Sequence, residues 1–172
     1  MMSDQEFTAA ERAQLRRLLD EQACRTLLER YAYAVDWMNW AGLSDLFWPD
    51  AILDFGMWKG DREAFLPWVK DLEEGYTRRL HMLVSPRIET VGDMIRAEAG
   101  NCTYLRKIED GNAGDQALFG RYQFEFTRRG TEWRIFRLYF LIHGLQQFPA
   151  TDQGGAAFFA DNMDTTHPRF AQ

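Results

Sequence analysis

The sequence predicts a single α+β domain. In this fold a curved, mostly antiparallel sheet wraps a long N-terminal helix into a cone-shaped half-barrel. Two patterns and their order carry the reading. Over the first 40 residues, apolar side chains recur at three- and four-residue steps, the period of a helix packed along one face. After about residue 77, long segments alternate apolar and polar and are separated by turn signals, the pattern of half-buried strands. Helices first and strands afterwards specify α+β rather than alternating α/β units. A chain of 172 residues corresponds to about one domain and is large enough for one substantial core.

The elements follow in order. Thr8 and Glu11 form a capping-box pattern, and Leu15, Leu18, Leu19, Leu27, Leu28, Tyr31 and Val35 mark the apolar stripe of the first helix. Asn39 ends it and caps a short second helix carrying Leu43, Leu46 and Phe47. Pro49 and Asp50 break the chain. Residues 51–58 read as a strand with Gly56 as a turn or bulge. Asp61 caps a third helix to about Glu74, in which Pro67 predicts a kink or a late start. Strands are expected near 77–91, 93–108, 117–129 and 132–143. Their breaks fall at Gly92-Asp93, at Glu109 to Asn112, and at Arg129-Gly130. Strict alternation puts Tyr122, Phe124 and Phe126 on one face, and Trp133, Ile135, Arg137, Tyr139, Leu141 and His143 together on another. The domain is expected to span 1–145, with 146–172 as a loop-like tail that caps the cone or contacts a neighbouring copy.

Composition narrows the function. Apolar residues make up 46% and charged residues 27%, a globular balance that excludes a disordered or collagenous chain. The net charge of −6, with no basic run, argues against nucleic acid and anionic membranes as partners. The apolar runs are too short to span a bilayer, and the N-terminus lacks the pattern of a signal peptide. Cys24 and Cys102 are isolated, so reduced thiols and a cytoplasmic location are expected. The 13 Phe, 6 Trp and 6 Tyr exceed what a plain core needs and point to a ring-lined cavity or an aromatic interface. Trp37, Trp40, Trp48, Phe55, Trp58 and Trp68 cluster in the first 70 residues, as core and dimer contacts or as the walls of an apolar pocket.

Several residues carry candidate chemistry. His81 lies in a strand and shares a face with Leu83, so its imidazole can face a cavity. Its ordinary pKa of about 6.5 suits a general base near neutrality. Such a base needs an acceptor to orient its other nitrogen. Tyr31 lies on the helix stripe and Tyr33 beside it, and either hydroxyl can bond a leaving oxygen or a carbonyl. Arg137 is the one charge on an apolar strand face, which calls for a carboxylate, structural or on a substrate. His143 falls on that same face, toward the rim. Asp36, His81 and His143 make a two-His, one-carboxylate combination, but no paired His or Cys spacing supports a metal. Gly-rich phosphate loops and a Gly-x-Ser-x-Gly elbow are absent.

The stretch LLERYAYAVDWMNWAGLSDLFWPDAILDF (27–55) resembles the opening of SnoaL-like proteins of the nuclear-transport-factor-2-like superfamily. LHMLVSPRIE (80–89) and GRYQFEFTRRGTEWRIFR (120–137) fit the same pattern in order. The resemblance covers roughly 10–145. It implies the cone-shaped fold and, among the enzymes of the family, cofactor-free lyases and isomerases. Relatives such as scytalone dehydratase, bile-acid 7α-dehydratase and hexachlorocyclohexane dehydrochlorinase pair a helix-end Asp with a strand His. The matching positions here are Asp36 and His81, although Asp36 lies about 100–120° from the apolar stripe. Tyr31 and Arg137 match further catalytic positions. The second active-site His of scytalone dehydratase has no counterpart, since nothing near Asn101 or Thr103 supplies it.

These readings combine into an expected cofactor-independent lyase or isomerase, dehydratase-like, acting on a small apolar cyclic molecule. Asp36, His81, Tyr31 and Arg137 would be its catalytic groups. Tyr33, Trp37, Phe55, Trp58, Tyr122, Tyr139 and His143 would contact the substrate, with no cofactor or metal. A homodimer or homotrimer is expected. The alternative is a non-catalytic ligand-binding module, or a small structural subunit of a ring-hydroxylating dioxygenase-type complex, since fold alone does not choose function.

Overall fold

A computed structural model describes residues 7–150, 164 and 166. Helix α1 (Ala9–Asp36) opens on the Thr8 capping box, in which each partner satisfies a backbone or side-chain donor of the other. Only its second half is buried, through Cys24, Leu27, Leu28, Tyr31, Ala34, Val35 and Asp36. Leu15, Leu18 and Leu19, expected on the core stripe, are exposed, because the helix face turned to the sheet at this end carries Ala13, Arg16, Arg17 and Asp20 instead. Asn39 caps α2 (Trp40–Ser44) through the amide of Gly42. Asp61 caps α3 (Arg62–Glu74) through the amide of Ala64, and Pro67 is accommodated inside that helix.

The sheet contains β1 (Phe47–Asp54), β2 (Lys59–Asp61), β3 (Arg78–Val91), β4 (Met94–Glu109), β5 (Asn112–Arg129) and β6 (Glu132–Pro149). Their order is β2-β1-β6-β5-β4-β3, antiparallel except where β1 runs parallel to β6. The sheet is curved and open, giving the expected half-barrel around α1. Tight turns join β3 to β6. At Asp110-Gly111 both residues take positive φ (50° and 78°), as a two-residue hairpin of the primed type requires.

Three features depart from the sequence expectations. Strand β1 starts at Phe47 rather than 51 and carries Pro49 at an irregularity between Phe47 and Ile52, where a missing N–H breaks no ladder. Strand β6 continues to Pro149, so the segment from Gly144 is strand rather than loop and the sheet passes residue 145. Its pairing with β5 slips twice, placing extra residues at Phe136 and His143. Gly120 lies opposite the second slip, where a Cβ would approach the Leu141 carbonyl oxygen to 2.5 Å. Of the tail expected at 146–172, residues 151–172 lie outside the described residues apart from Asp164 and Thr166.

The core fills the concave side of the sheet. Phe65 of α3 is fully buried among Phe47 (5.7 Å between ring centroids), Phe55 (5.5 Å, stacked), Trp58 (5.8 Å) and Trp68 (6.0 Å). Phe124 and Phe126 of β5 lie beneath α1, where Tyr31 meets Phe124 edge-on at 5.8 Å. Among the described residues no helix is long and apolar enough to cross a membrane.

Candidate active site

The core stops short of filling the cone. A cavity of about 220 Å³ remains between the ends of α1 and α3 and the strands β3, β4, β5 and β6. Val35, Phe55, Trp68, Leu105, Leu118 and Phe140 form apolar walls, and Tyr31, Glu73, Tyr76, His81, Thr103 and Tyr122 contribute the main polar groups. This volume lies below the roughly 300–1,000 Å³ of pockets for drug-sized molecules, so the cavity suits a small ligand.

Asp36 is the last residue of α1 and is 8% exposed. Its Oδ1 lies 2.8 Å from His81 Nδ1, and the carboxylate also accepts the backbone N–H of His81 at 2.9 and 3.1 Å. Asp36 does not line the cavity, so it holds the ring from behind and leaves Nε2 for the cavity side. Burial pushes the His81 imidazolium pKa down. The Asp36 hydrogen bond and the charges of Glu73 and Asp36 outweigh burial and hold it above its ordinary value.

Glu73, at the end of α3, faces the other nitrogen. It is 5% exposed, with Oε1 3.9 Å from His81 Nε2 and Oε2 3.4 Å from Arg79 Nε. Among the described residues nothing donates a hydrogen bond to the Oε2 atom. Burial raises the Glu73 carboxyl above its ordinary range, against the opposing charges of His81 and Arg79. The Arg79 guanidinium is held in turn by the carbonyls of Glu73 (2.8 Å) and Tyr76. Both carboxylates sit in the last turn of a helix, where the helix dipole favours cations, and neither last turn has a basic residue of its own. His81 and Arg79, from the neighbouring strand, supply the positive charge.

The Tyr31 and Tyr122 rings meet edge-on at 5.5 Å in the cavity wall. Burial raises both phenols well above their ordinary value, so both stay protonated donors. Phe55 lines the wall, while Trp58 stands one layer behind it, stacked on Trp68 at 4.8 Å.

The remaining expected contacts fall elsewhere. Tyr33 and Trp37 pack against each other off the cavity wall, with Tyr33 exposed. Arg137, Tyr139 and His143 lie on the convex face of the sheet, and the slip at Phe136 is the reason. Ile135 pairs with inward Phe126, but Arg137 pairs with outward Glu125, so alternation reverses between them. Arg137 meets Glu125 at 3.6 Å, Tyr139 sits among Arg87, Arg96 and Glu125, and His143 borders Val84, Cys102 and Phe119. These positions correct the expected catalytic placement of Arg137 and the expected substrate contacts of Tyr139 and His143. They also separate His143 from Asp36 and His81.

Sequence reasoning missed Glu73 and Arg79, although both carry a signal. Phe65, Val69 and Glu73 follow at four-residue steps, which puts a carboxylate on the buried face of α3. Arg79, His81 and Leu83 alternate on the inward face of β3. Thr103, which pairs with His81 across the strands, is held by Asn101 at 2.9 and 3.1 Å.

The architecture is thus a half-open α+β cone with a buried ionisable cluster at its cavity. The chain belongs to the SnoaL-like domain family, whose model matches residues 16–139. A search of curated proteins finds no match. Among solved structures, the hexachlorocyclohexane dehydrochlorinase LinA-type3 of Novosphingobium barchaimii is similar over 83% of this chain and 99% of its own, with TM-score 0.74 and 18% identity. A scytalone dehydratase-like protein of Novosphingobium aromaticivorans covers 81% of this chain and 97% of its own, with TM-score 0.68 and 18% identity. An NTF2-like protein of the same organism covers 91% and 96%, with TM-score 0.62 and 22% identity. At these identities the likeness establishes the fold.

Proposed function

We propose that the protein is a cofactor-independent lyase or isomerase, dehydratase-like, acting on a small, mostly apolar cyclic molecule in the cone cavity. One observation carries this reading: the 2.8 Å contact between Asp36 and His81 Nδ1, with the ring edge at an apolar cavity. A carboxylate behind an imidazole fixes the tautomer and stabilises the imidazolium, which leaves Nε2 as the general base. His81 removes a proton from a carbon beside an electron-withdrawing group. The Tyr31–Tyr122 pair offers a hydroxyl to the oxygen on which negative charge grows. The aromatic walls keep water out.

The test is His81→Ala against a panel of hydroxylated and halogenated cyclic ketones. Turnover should vanish in the variant while its far-UV circular dichroism matches the wild type, and full turnover would reject the role. Self-association, as a homodimer or homotrimer, has support on the convex face. Met82, Cys102 and Phe119 face each other across β3, β4 and β5, and Met82, Val84, Phe119 and Leu141 are exposed there. The same face supports the second reading, a ligand-binding module or small subunit docked on a larger partner. Isolation with a large partner and without turnover would favour it.

A further inference from the structure

The His81 site contains a second carboxyl that the Asp–His pairing does not use. Glu73 lines the cavity from α3, is nine-tenths buried and more, and reaches within 3.9 Å of the atom assigned as the base. Arg79 stands on its far side at 3.4 Å, with its side chain 1% exposed. The cluster therefore holds Asp36 from α1, Glu73 from α3, and His81 and Arg79 from β3. Among the described residues the phenols of Tyr31, Tyr76 and Tyr122 border the cluster, Tyr76 with the Glu73 charge acting on it, while Glu74 and Asp164 act on Arg79.

Charge balance in this cluster is informative. Glu73 and His81 face each other with both side chains buried, and two arrangements leave that pair without a net charge. Either His81 is an imidazolium beside a Glu73 carboxylate, or His81 is neutral beside a Glu73 carboxylic acid. The two differ by the position of one proton, and neither strands a buried charge.

We propose that Glu73 and His81 share this one proton and that Glu73 is a further catalytic residue, the acid that protonates a leaving hydroxyl. This rests on the reading of His81 as the base. In the neutral-His81 arrangement, Nε2 takes the proton from the carbon beside a ring carbonyl. The C–H electron pair becomes the new C=C bond, the C–O bond at the next carbon breaks, and the departing oxygen takes the proton of Glu73 to leave as water. The site is then His81 imidazolium and Glu73 carboxylate. One proton then passes from His81 Nε2 to Glu73, relayed across their 3.9 Å separation by the water just released, which restores the site with no net proton taken from solvent. Base and acid are neighbours on one side of the cavity, so both act on the same face of the ring. The substrate class that needs such an acid is a cyclic β-hydroxy ketone, because hydroxide is a poor leaving group and chloride needs no proton.

Two measurements test the assignment on the full chain. The first is an NMR titration from about pH 4 to about pH 9 with labelled Glu carboxyl and His ring, which needs no substrate. In the wild type, the Glu73 and His81 signals should each report the same two macroscopic steps, and Glu73→Gln should reduce His81 to one. A Glu73 carboxyl that ionises in one step, in the ordinary carboxylate range and indifferent to His81→Gln, overturns the shared proton. The second compares elimination from 3-hydroxycyclohexanone and 3-chlorocyclohexanone. Glu73→Gln should lose about 10²-fold or more in kcat on the hydroxyl probe and keep the chloride reaction within a few-fold. Equal losses on both probes would make Glu73 a positioning residue and overturn the acid role. His81→Ala should lose both reactions, and its retaining both would remove the base reading instead. A wild type that eliminates neither leaving group overturns the substrate class.

Discussion

Replacing Asp36 by Asn keeps the side chain's shape and removes its charge. The carboxylate accepts three contacts from one residue, two from the His81 backbone N–H and one from Nδ1. The amide oxygen can keep the backbone N–H but no longer offers a charged partner to the ring. A hydrogen bond to a charged group contributes about 1.5–3 kcal/mol, and loss of the Nδ1 bond should cost about that much. For a domain of this size each kcal/mol moves Tm by about 2–4 °C, so Asp36→Asn should melt about 3–12 °C lower. The loss has a pH signature. Because folding raises the His81 value, its stabilisation is fully present below the unfolded value near 6.5 and is lost as pH rises through the folded value. The Tm difference between variant and wild type should therefore be larger at about pH 6 than at about pH 9. The His81 titration itself, followed by NMR, should move down in the variant, and turnover should fall by about 10²–10⁴-fold. An unmoved His81 titration together with an unchanged Tm would refute the bond.

Three further outcomes follow from the same geometry. Phe65→Ala removes a fully buried ring that touches four others and lies outside the cavity wall. Urea unfolding should show a loss of about 3–5 kcal/mol with residual activity below the new midpoint, and a loss under about 1 kcal/mol would contradict the packing. Folding also raises the Glu73 value, so this group opposes folding as pH climbs above its unfolded range. Between about pH 5 and about pH 8, Tm should decline less in Glu73→Gln than in the wild type, and parallel curves would count against a raised carboxyl. On the convex face, the double variant Met82→Lys, Phe119→Lys places two charges on the row formed with Cys102. Light scattering should show the assembly reduced to monomers, and an unchanged mass would exclude this face as the contact.

The elements whose signals are local were legible in the sequence. The Thr8 and Asp61 caps, the Asp110-Gly111 turn and the alternation of β5 all depend on residues a few positions apart, and the structure contains each. Asp36 was placed by resemblance against its helical wheel. The structure explains the conflict, because the helix ends where β3 offers the His81 backbone N–H. Arg137, Tyr139 and His143 were misplaced because a bulge is a property of strand pairing, and β6 read alone keeps perfect alternation through Phe136. Glu73 and Arg79 stayed hidden for another reason. A carboxylate on an apolar stripe looks like an interruption until the strand beside it supplies the counter-charge.

The central claim is that His81 takes a proton from carbon. Its most direct test is deuterium uptake from D₂O into the carbon beside the carbonyl of 3-hydroxycyclohexanone, followed by NMR with wild type, Asp36→Asn and His81→Ala. The account predicts uptake well above buffer in the wild type, a strong reduction in Asp36→Asn, and the buffer rate in a folded His81→Ala. Uptake by His81→Ala equal to the wild type, or a wild type no faster than buffer, would contradict it.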